Sequence, residues 1–205
     1  TVRRAKNGEK ITTLDKQERI LDENDWVIAD TKKPVAIAGV MGGLNSEIEK
    51  DTQTVVFESA VFYGGGVRKT AKKVGLRTES SARYEKGLSS ENAIRAVNRA
   101  VELVELIGAG QEVEGKIDVY PTKQKINKIK LDVEKINNLL GTNIEKEEMI
   151  KILEKLDIKV ENNMAIAPYF RMDLEFVADI AEEIVRFYGY DKLETTLIKA
   201  DTTLG

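Results

Sequence analysis

Apolar positions fall into two regimes along the chain. Up to about residue 66 they come as short clusters between turn residues, the spacing of strands. Ile11-Thr12-Thr13-Leu14 and Trp26-Val27-Ile28-Ala29 are of this kind, and Asn7-Gly8-Glu9 is a hairpin signal. Pro34-Val35-Ala36-Ile37-Ala38 and Val55-Val56-Phe57 are fully apolar runs, which predicts buried strands. The period then changes. From Val67 to Val74 a helix is expected, with Val67, Ala71 and Val74 on one side, Arg68, Lys69, Lys72 and Lys73 elsewhere, and Gly75 as its C-cap. Ser89 is placed to cap a long helix whose Ala93, Ile94, Val97, Val101, Val104 and Ile107 recur at three- and four-residue steps. Gly108-Ala109-Gly110 stops it. A strand around Gly115 to Val119 leads to Tyr120-Pro121 and the lysine-rich Lys123-Gln124-Lys125, where a domain boundary is expected.

Beyond that boundary the pattern starts with Ile129-Lys130-Leu131. Asp132 can cap a short helix (Val133, Ile136, Leu139, Leu140) that Gly141 closes. A second helix gathers Met149, Ile150, Leu153 and Leu156 on one face. Ile158-Lys159-Val160 and Met164-Ala165-Ile166-Ala167 predict a β-hairpin around Glu161-Asn162-Asn163. After Pro168 a last helix is expected from about Leu174 to Tyr188. Two helices, a hairpin and a helix make a compact winged-helix-like module, so the fold class is α+β: a mixed α/β domain over 1–122, a small α+β domain over 126–198, and a linker over 199–205.

Composition narrows the chemistry. The 205 residues are 41% hydrophobic and 33% charged, enough for packed cores under a solvated surface. A formal charge of −3 argues against nucleic acid held mainly by a basic field, and a cysteine count of zero excludes disulfides and thiolate metal sites. Zero histidines removes the commonest general base and zinc ligand, so any hydrolysis here rests on carboxylates, hydroxyls, backbone dipoles or the substrate itself. No apolar run approaches the about 18 residues of a membrane span, and Thr1-Val2-Arg3-Arg4 has no hydrophobic stretch behind it to make a secretory signal. The first residue is not methionine, which suggests a piece of something longer.

Two constellations could carry chemistry. The first runs from Pro34 to Gly87. It holds the turn Gly39-Val40-Met41-Gly42-Gly43, the lone acid Glu58 among apolar neighbours, and a polar loop from Gly75 to Gly87 containing Thr78, Ser80 and Ser81. No Gly-Lys-Ser/Thr follows the glycines, so this is not a phosphate loop. Glu58 reads either as the solvent side of an edge strand or as a carboxylate that recognises a ligand's hydroxyl or amine. Arg68, Lys69, Lys72, Lys73, Arg77, Arg83 and Lys86 are either a solvated face or the neighbours of a phosphate backbone. The second constellation is acidic. Asp179, Glu182 and Glu183 stand at i, i+3 and i+4 on the last helix, and Asp173 lies just before it, where it can cap. Acids near a helix N-terminus are favoured by the macrodipole, and Glu182 or Glu183 can pair with Arg186. Converging carboxylates are also what Mg²⁺ requires.

The ordered set of motifs resembles the beta subunit of bacterial phenylalanyl-tRNA synthetase. It comprises Val2-Arg3-Arg4-Ala5, Gly8-Glu9, Thr13-Leu14-Asp15, Ala36 to Gly43, Glu58-Ser59-Ala60, Gly75 to Gly87, Arg171-Met172-Asp173 and Asp179 to Lys192. The resemblance implies that 1–122 is the later part of the family's tRNA-editing domain and 126–198 the small domain that follows it. It implies a cytoplasmic α₂β₂ ligase with an alpha subunit as partner. That enzyme charges tRNA(Phe) using ATP and Mg²⁺, and its beta subunit hydrolyses tyrosine mischarged onto the tRNA. By position, Gly42, Glu58, Thr78 and Ser80 fall in the family's editing pocket, Glu58 matching the glutamate that reads the tyrosine hydroxyl; position 80 is often alanine in the family. Asp173, Asp179, Glu182 and Glu183 fall at the Mg²⁺ site shared with the alpha subunit. No catalytic residue is carried over, because the family's threonine and histidine would precede Thr1, and the isolated chain is expected to hydrolyse mischarged tRNA poorly. The competing readings are a nucleic-acid-binding winged-helix module and a structural adaptor whose acidic helix docks on a partner.

Overall fold

The computed structural model describes residues 1–194, so the expected linker over 199–205 and the last positions of the expected second domain lie outside the described residues. The chain is mixed α+β and divides into two compact units between Gln124 and Lys125. Among the described residues no helix is long and apolar enough to cross a membrane.

The first unit begins with six short strands: β1 (Val2–Arg4), β2 (Glu9–Thr12), β3 (Glu18–Leu21), β4 (Trp26–Ala29), β5 (Pro34–Ile37) and β6 (Met41–Gly42). Strands β1, β4, β5 and β6 form an antiparallel sheet in the order β1-β4-β5-β6, while β2 and β3 pair with each other. The Asn7-Gly8 turn is therefore not a hairpin: it carries the chain from one sheet to the other. What holds it is Glu9, whose carboxylate accepts two bonds from the Arg3 guanidinium, at 2.7 and 2.9 Å, and one from the Lys6 amide at 2.8 Å. The Arg3 hydrogen bond is the main cause that lowers the Glu9 pKa from an ordinary 4.5 to about 2. A depressed carboxylate stabilises the fold above its unfolded pKa and loses that contribution as pH falls toward the folded value. Unfolding midpoints measured between pH 5 and pH 2 are expected to drop for the wild-type chain, and Glu9→Gln should flatten that part of the profile.

Three helices follow, α1 (Gly64–Lys73), α2 (Glu79–Tyr84) and α3 (Glu91–Leu106). Helix α1 turns Val67, Thr70 and Ala71 inward onto Ala5, Ile11, Leu21, Val27, Ala29, Ile37 and Val40. It is also tied down by charge. The buried Asp25 accepts hydrogen bonds from the Thr70 hydroxyl (2.7 Å), from the Asp22 amide (2.9 Å) and from the Lys73 ammonium. The three glycines 64–66 start this helix instead of preceding it. A Cβ on Gly64 would stand 2.6 Å from the Tyr84 carbonyl oxygen, so only glycine lets α1 and the end of α2 approach this closely.

Two expected strands are absent. Residues 53–63 and 111–120 have no regular structure, and Val56 and Ile117 are 92% and 94% exposed. An apolar run becomes a strand only where a neighbouring strand satisfies its backbone, and no described strand pairs with either segment. Ser90 directly precedes α3 without a side-chain cap bond, whereas the Ser89 hydroxyl accepts from the Glu91 amide at the helix start at 3.3 Å and donates to Gln124 at 2.7 Å. Helix α3 has the expected amphipathic spacing yet buries no residue fully.

The second unit contains β7 (Lys128–Lys130), α4 (Val133–Leu140), α5 (Lys146–Glu154), β8 (Lys159–Glu161), β9 (Met164–Ile166) and α6 (Val177–Tyr188). The sheet runs β7-β9-β8, all antiparallel. The β8–β9 hairpin closes through Asn162 and Asn163 at φ 50° and 62°, left-handed values that asparagine tolerates. Asp132 caps α4 by accepting from the Lys135 amide. Ile136, Met149, Leu153, Ile158, Ala165, Leu174, Ile180 and Ile184 form the core. Helix α6 starts three residues later than the sequence suggests because Leu174 leaves the helical path to fill that core. Its N-terminus is satisfied from within: Asp179 accepts from the Glu175 and Phe176 amides, each at 2.7 Å, whereas Asp173 is turned to Arg171.

Candidate functional site

The stretch expected to be a polar loop contains helix α2, and its side chains weld that helix to the β5–β6 turn. Thr78 and Ser81 form a capping box, each side chain accepting the other's amide. The Thr78 hydroxyl also donates to the Val40 carbonyl at 2.7 Å, and the Ser80 hydroxyl donates to the Gly39 carbonyl at 3.0 Å. At the far end of α2, the Tyr84 hydroxyl donates to the Ala60 carbonyl at 2.9 Å, and its ring meets Phe62 at 5.3 Å. Three polar side chains thus hold main-chain oxygens from two separate segments.

Gly39 sits at the centre of this arrangement. Its φ is +70°, and a Cβ there would lie 2.9 Å from Val67 Cγ2, 3.2 Å from Phe62 and 3.3 Å from Tyr84. Backbone, two aromatic rings and a valine form a close apolar wall. Glu58 stands by it. The residue is exposed overall, yet burial around its carboxyl pushes its pKa up. No hydrogen bond or ion pair joins it to another described residue. It is close enough to Tyr84 to help raise that phenol's pKa, burial being the larger cause.

Of the expected pocket residues, Thr78 and Ser80 are joined through Val40 and Gly39, and Glu58 reaches the same wall through Tyr84. Gly42 lies on β6, with Leu14 at 3.2 Å from where its Cβ would be, and no described contact links it to Glu58. Sequence reasoning carried Gly39 only as part of the glycine turn and Tyr84 only as part of the polar loop, and did not single out Phe62. The signal available was the first glycine of the 39–43 run, the one with left-handed backbone. The arrangement can present one hydrogen-bond-accepting carboxylate beside an aromatic surface. It offers no histidine, thiolate or activated hydroxyl, since the Thr78 and Ser80 protons are committed to the backbone.

The acidic set in the second unit is arranged differently from what a cation needs. Asp173 accepts from Arg171 Nε at 2.9 Å and Nη2 at 2.6 Å. The buried Glu183 accepts from Arg171 at 2.7 Å through Oε1 and from Arg186 through Oε2. The Arg171 guanidinium holds the Asp173 pKa below the carboxylate range. Asp179 is engaged in capping, which leaves Glu182 alone facing solvent. Oxygen donors suit Mg²⁺, but three of these four carboxylates are taken, and among the described residues no three His, Cys, Asp or Glu side chains are gathered to hold an ion. In this geometry the set does not fit a bound Mg²⁺.

Residues 1–109 match the family described as B3/4 domain, and residues 129–190 the one described as tRNA synthetase B5 domain. The chain is 46% identical over 205 residues to the phenylalanine–tRNA ligase beta subunit of Clostridium acetobutylicum, covering 98% of the chain and 26% of that protein. It is 42% identical over 204 residues to that of Clostridium tetani, covering 97% and 26%. The beta subunit of Moorella thermoacetica is 43% identical over 199 residues, covering 96% and 25%. The chain spans about a quarter of the length of the curated relatives it matches.

Proposed function

The chain belongs to the phenylalanine–tRNA ligase beta-subunit family, of which it carries B3/4 and B5 domains, and on that premise we propose that its first unit is one wall of a site that hydrolyses tyrosine wrongly attached to tRNA(Phe). In this reading residues 1–122 are the later part of an editing domain. The whole enzyme is a cytoplasmic α₂β₂ ligase that attaches phenylalanine to its tRNA with ATP and Mg²⁺, and its synthetic site lies on the alpha subunit.

The observation that carries the reading is Glu58: a carboxylate raised in pKa by burial, without a hydrogen-bond or ion-pair partner among the described residues, beside an aromatic wall. A tyrosine phenol can donate its proton to that carboxylate while its ring lies against the Phe62–Tyr84–Gly39 surface. Phenylalanine would desolvate the carboxylate and give nothing back. A site that requires a hydrogen bond from its substrate can reject the analogue lacking it by ~10⁴–10⁵-fold, whereas an apolar pocket separates such pairs poorly. Hydrolysis then needs a water delivered to the ester carbonyl carbon and a proton returned to the departing ribose oxygen. What this chain itself can bring to that step is positioning and backbone donors beside the tRNA ribose hydroxyl, since its 205 residues include no histidine.

The test is to give an intact beta subunit, assembled in its ligase, tRNA(Phe) charged with either tyrosine or phenylalanine. Rapid release of tyrosine and slow release of phenylalanine is expected. Equal release of the two amino acids overturns the reading.

A further inference from the structure

Burying a carboxylate costs several kcal/mol unless its oxygens are paired. The Glu183 side chain is only 6% exposed, and each of its oxygens meets a different arginine, Arg171 from the turn before α6 and Arg186 from the next turn of the helix. Arg171 is shared. Its Nη2 donates to both Glu183 and Asp173, and its Nε completes a two-pronged grip on Asp173. Asp173 and Glu183 against Arg171 and Arg186 make a charge-neutral group. The next residue along, Leu174, is buried in the core, and its carbonyl accepts from Asn127 at 2.9 Å.

We propose that Arg171 and Arg186, rather than a divalent cation, are the counter-charges of Asp173 and Glu183, forming a clasp that fastens the 168–174 turn to α6. The two arrangements exclude one another. Mg²⁺ holds its oxygens at about 2.0–2.1 Å in a near-ideal octahedron, so seating it on these carboxylates means withdrawing two guanidinium groups and then leaving them beside a dication. The B5 unit therefore folds around arginine, and any ion that this acidic set takes has to displace Arg171 first.

Thermal unfolding of the 205-residue chain tests this in two ways. The first quantity is the difference in midpoint between EDTA and millimolar Mg²⁺. It is expected to be the same in wild type and Glu183→Gln; a Mg²⁺-dependent rise in wild type that Glu183→Gln abolishes overturns the clasp. The second is the coupling between the partners. Arg171→Gln should lower the midpoint, because it strips a donor from a buried carboxylate, and adding Glu183→Gln should lower it no further, because the charge needing that donor has gone. Losses that simply add would show the two side chains to be independent, and the clasp would be refuted.

Discussion

A ligase whose beta subunit carries Glu58→Ala is expected to release tyrosine from mischarged tRNA about 10- to 150-fold more slowly than wild type, with charging by phenylalanine unchanged. The range follows from the about 1.5–3 kcal/mol carried by a hydrogen bond to a charged group, with each 1.4 kcal/mol worth about tenfold. Glu58 can contribute this because no described side chain or backbone group competes for its oxygens, and burial raises the cost of leaving them unpaired. Glu58→Gln separates charge from shape: its amide oxygen still accepts a phenolic proton but is neutral, so its loss should fall between wild type and alanine. The release of tyrosine and phenylalanine is followed for all three proteins. If Glu58→Ala edits like wild type, the carboxylate is not what recognises the hydroxyl.

Gly39→Ala is expected to destabilise the first unit by about 2–5 kcal/mol, as read from urea or thermal unfolding. Left-handed backbone costs a non-glycine residue about 1–2 kcal/mol, and forcing a methyl into a filled space costs about 1–3 kcal/mol more. The three atoms that a Cβ would meet, at 2.9, 3.2 and 3.3 Å, belong to different elements, so no single side chain can move to relieve them. Gly42→Ala is the comparison. Its backbone is not left-handed and its new methyl would meet only Leu14, so it should cost far less. Equal losses at the two positions would mean that the wall around Gly39 is not as tightly packed as these distances imply.

Much of this could be read from sequence wherever a local rule decides the outcome. Asp132 caps α4, and the Asn162-Asn163 pair turns the β8–β9 hairpin, because both depend on residues within a few positions of each other. The lone acid at 58 was legible for a similar reason: a carboxylate among apolar neighbours stands out without any structure. What failed depended on distant partners. Val55-Val56-Phe57 has the composition of a buried strand, but composition does not supply the neighbour a strand must pair with. The spacing of Asp179, Glu182 and Glu183 put three acids near one another, yet nothing in it says that Arg171, twelve residues before Glu183, reaches back to claim it. Tyr84 was visible as a residue, while its bond to Ala60, 24 positions away, was not. The polar character of 75–87 hid α2, since a Thr-x-x-Ser cap looks like loop chemistry until the helix behind it is seen.

Thr78, Ser80 and Tyr84 all give their protons to carbonyls of the main chain. The rotamers of these three residues are therefore settled when the first unit folds. On the proposed editing role, an arriving aminoacyl group would meet a surface whose conformational freedom has already been given up, and an association that orders less of the protein keeps more of its contact energy as affinity. In that role the wall would discriminate by rigidity as well as by chemistry, because a surface that cannot relax toward phenylalanine cannot soften the penalty of an unanswered carboxylate.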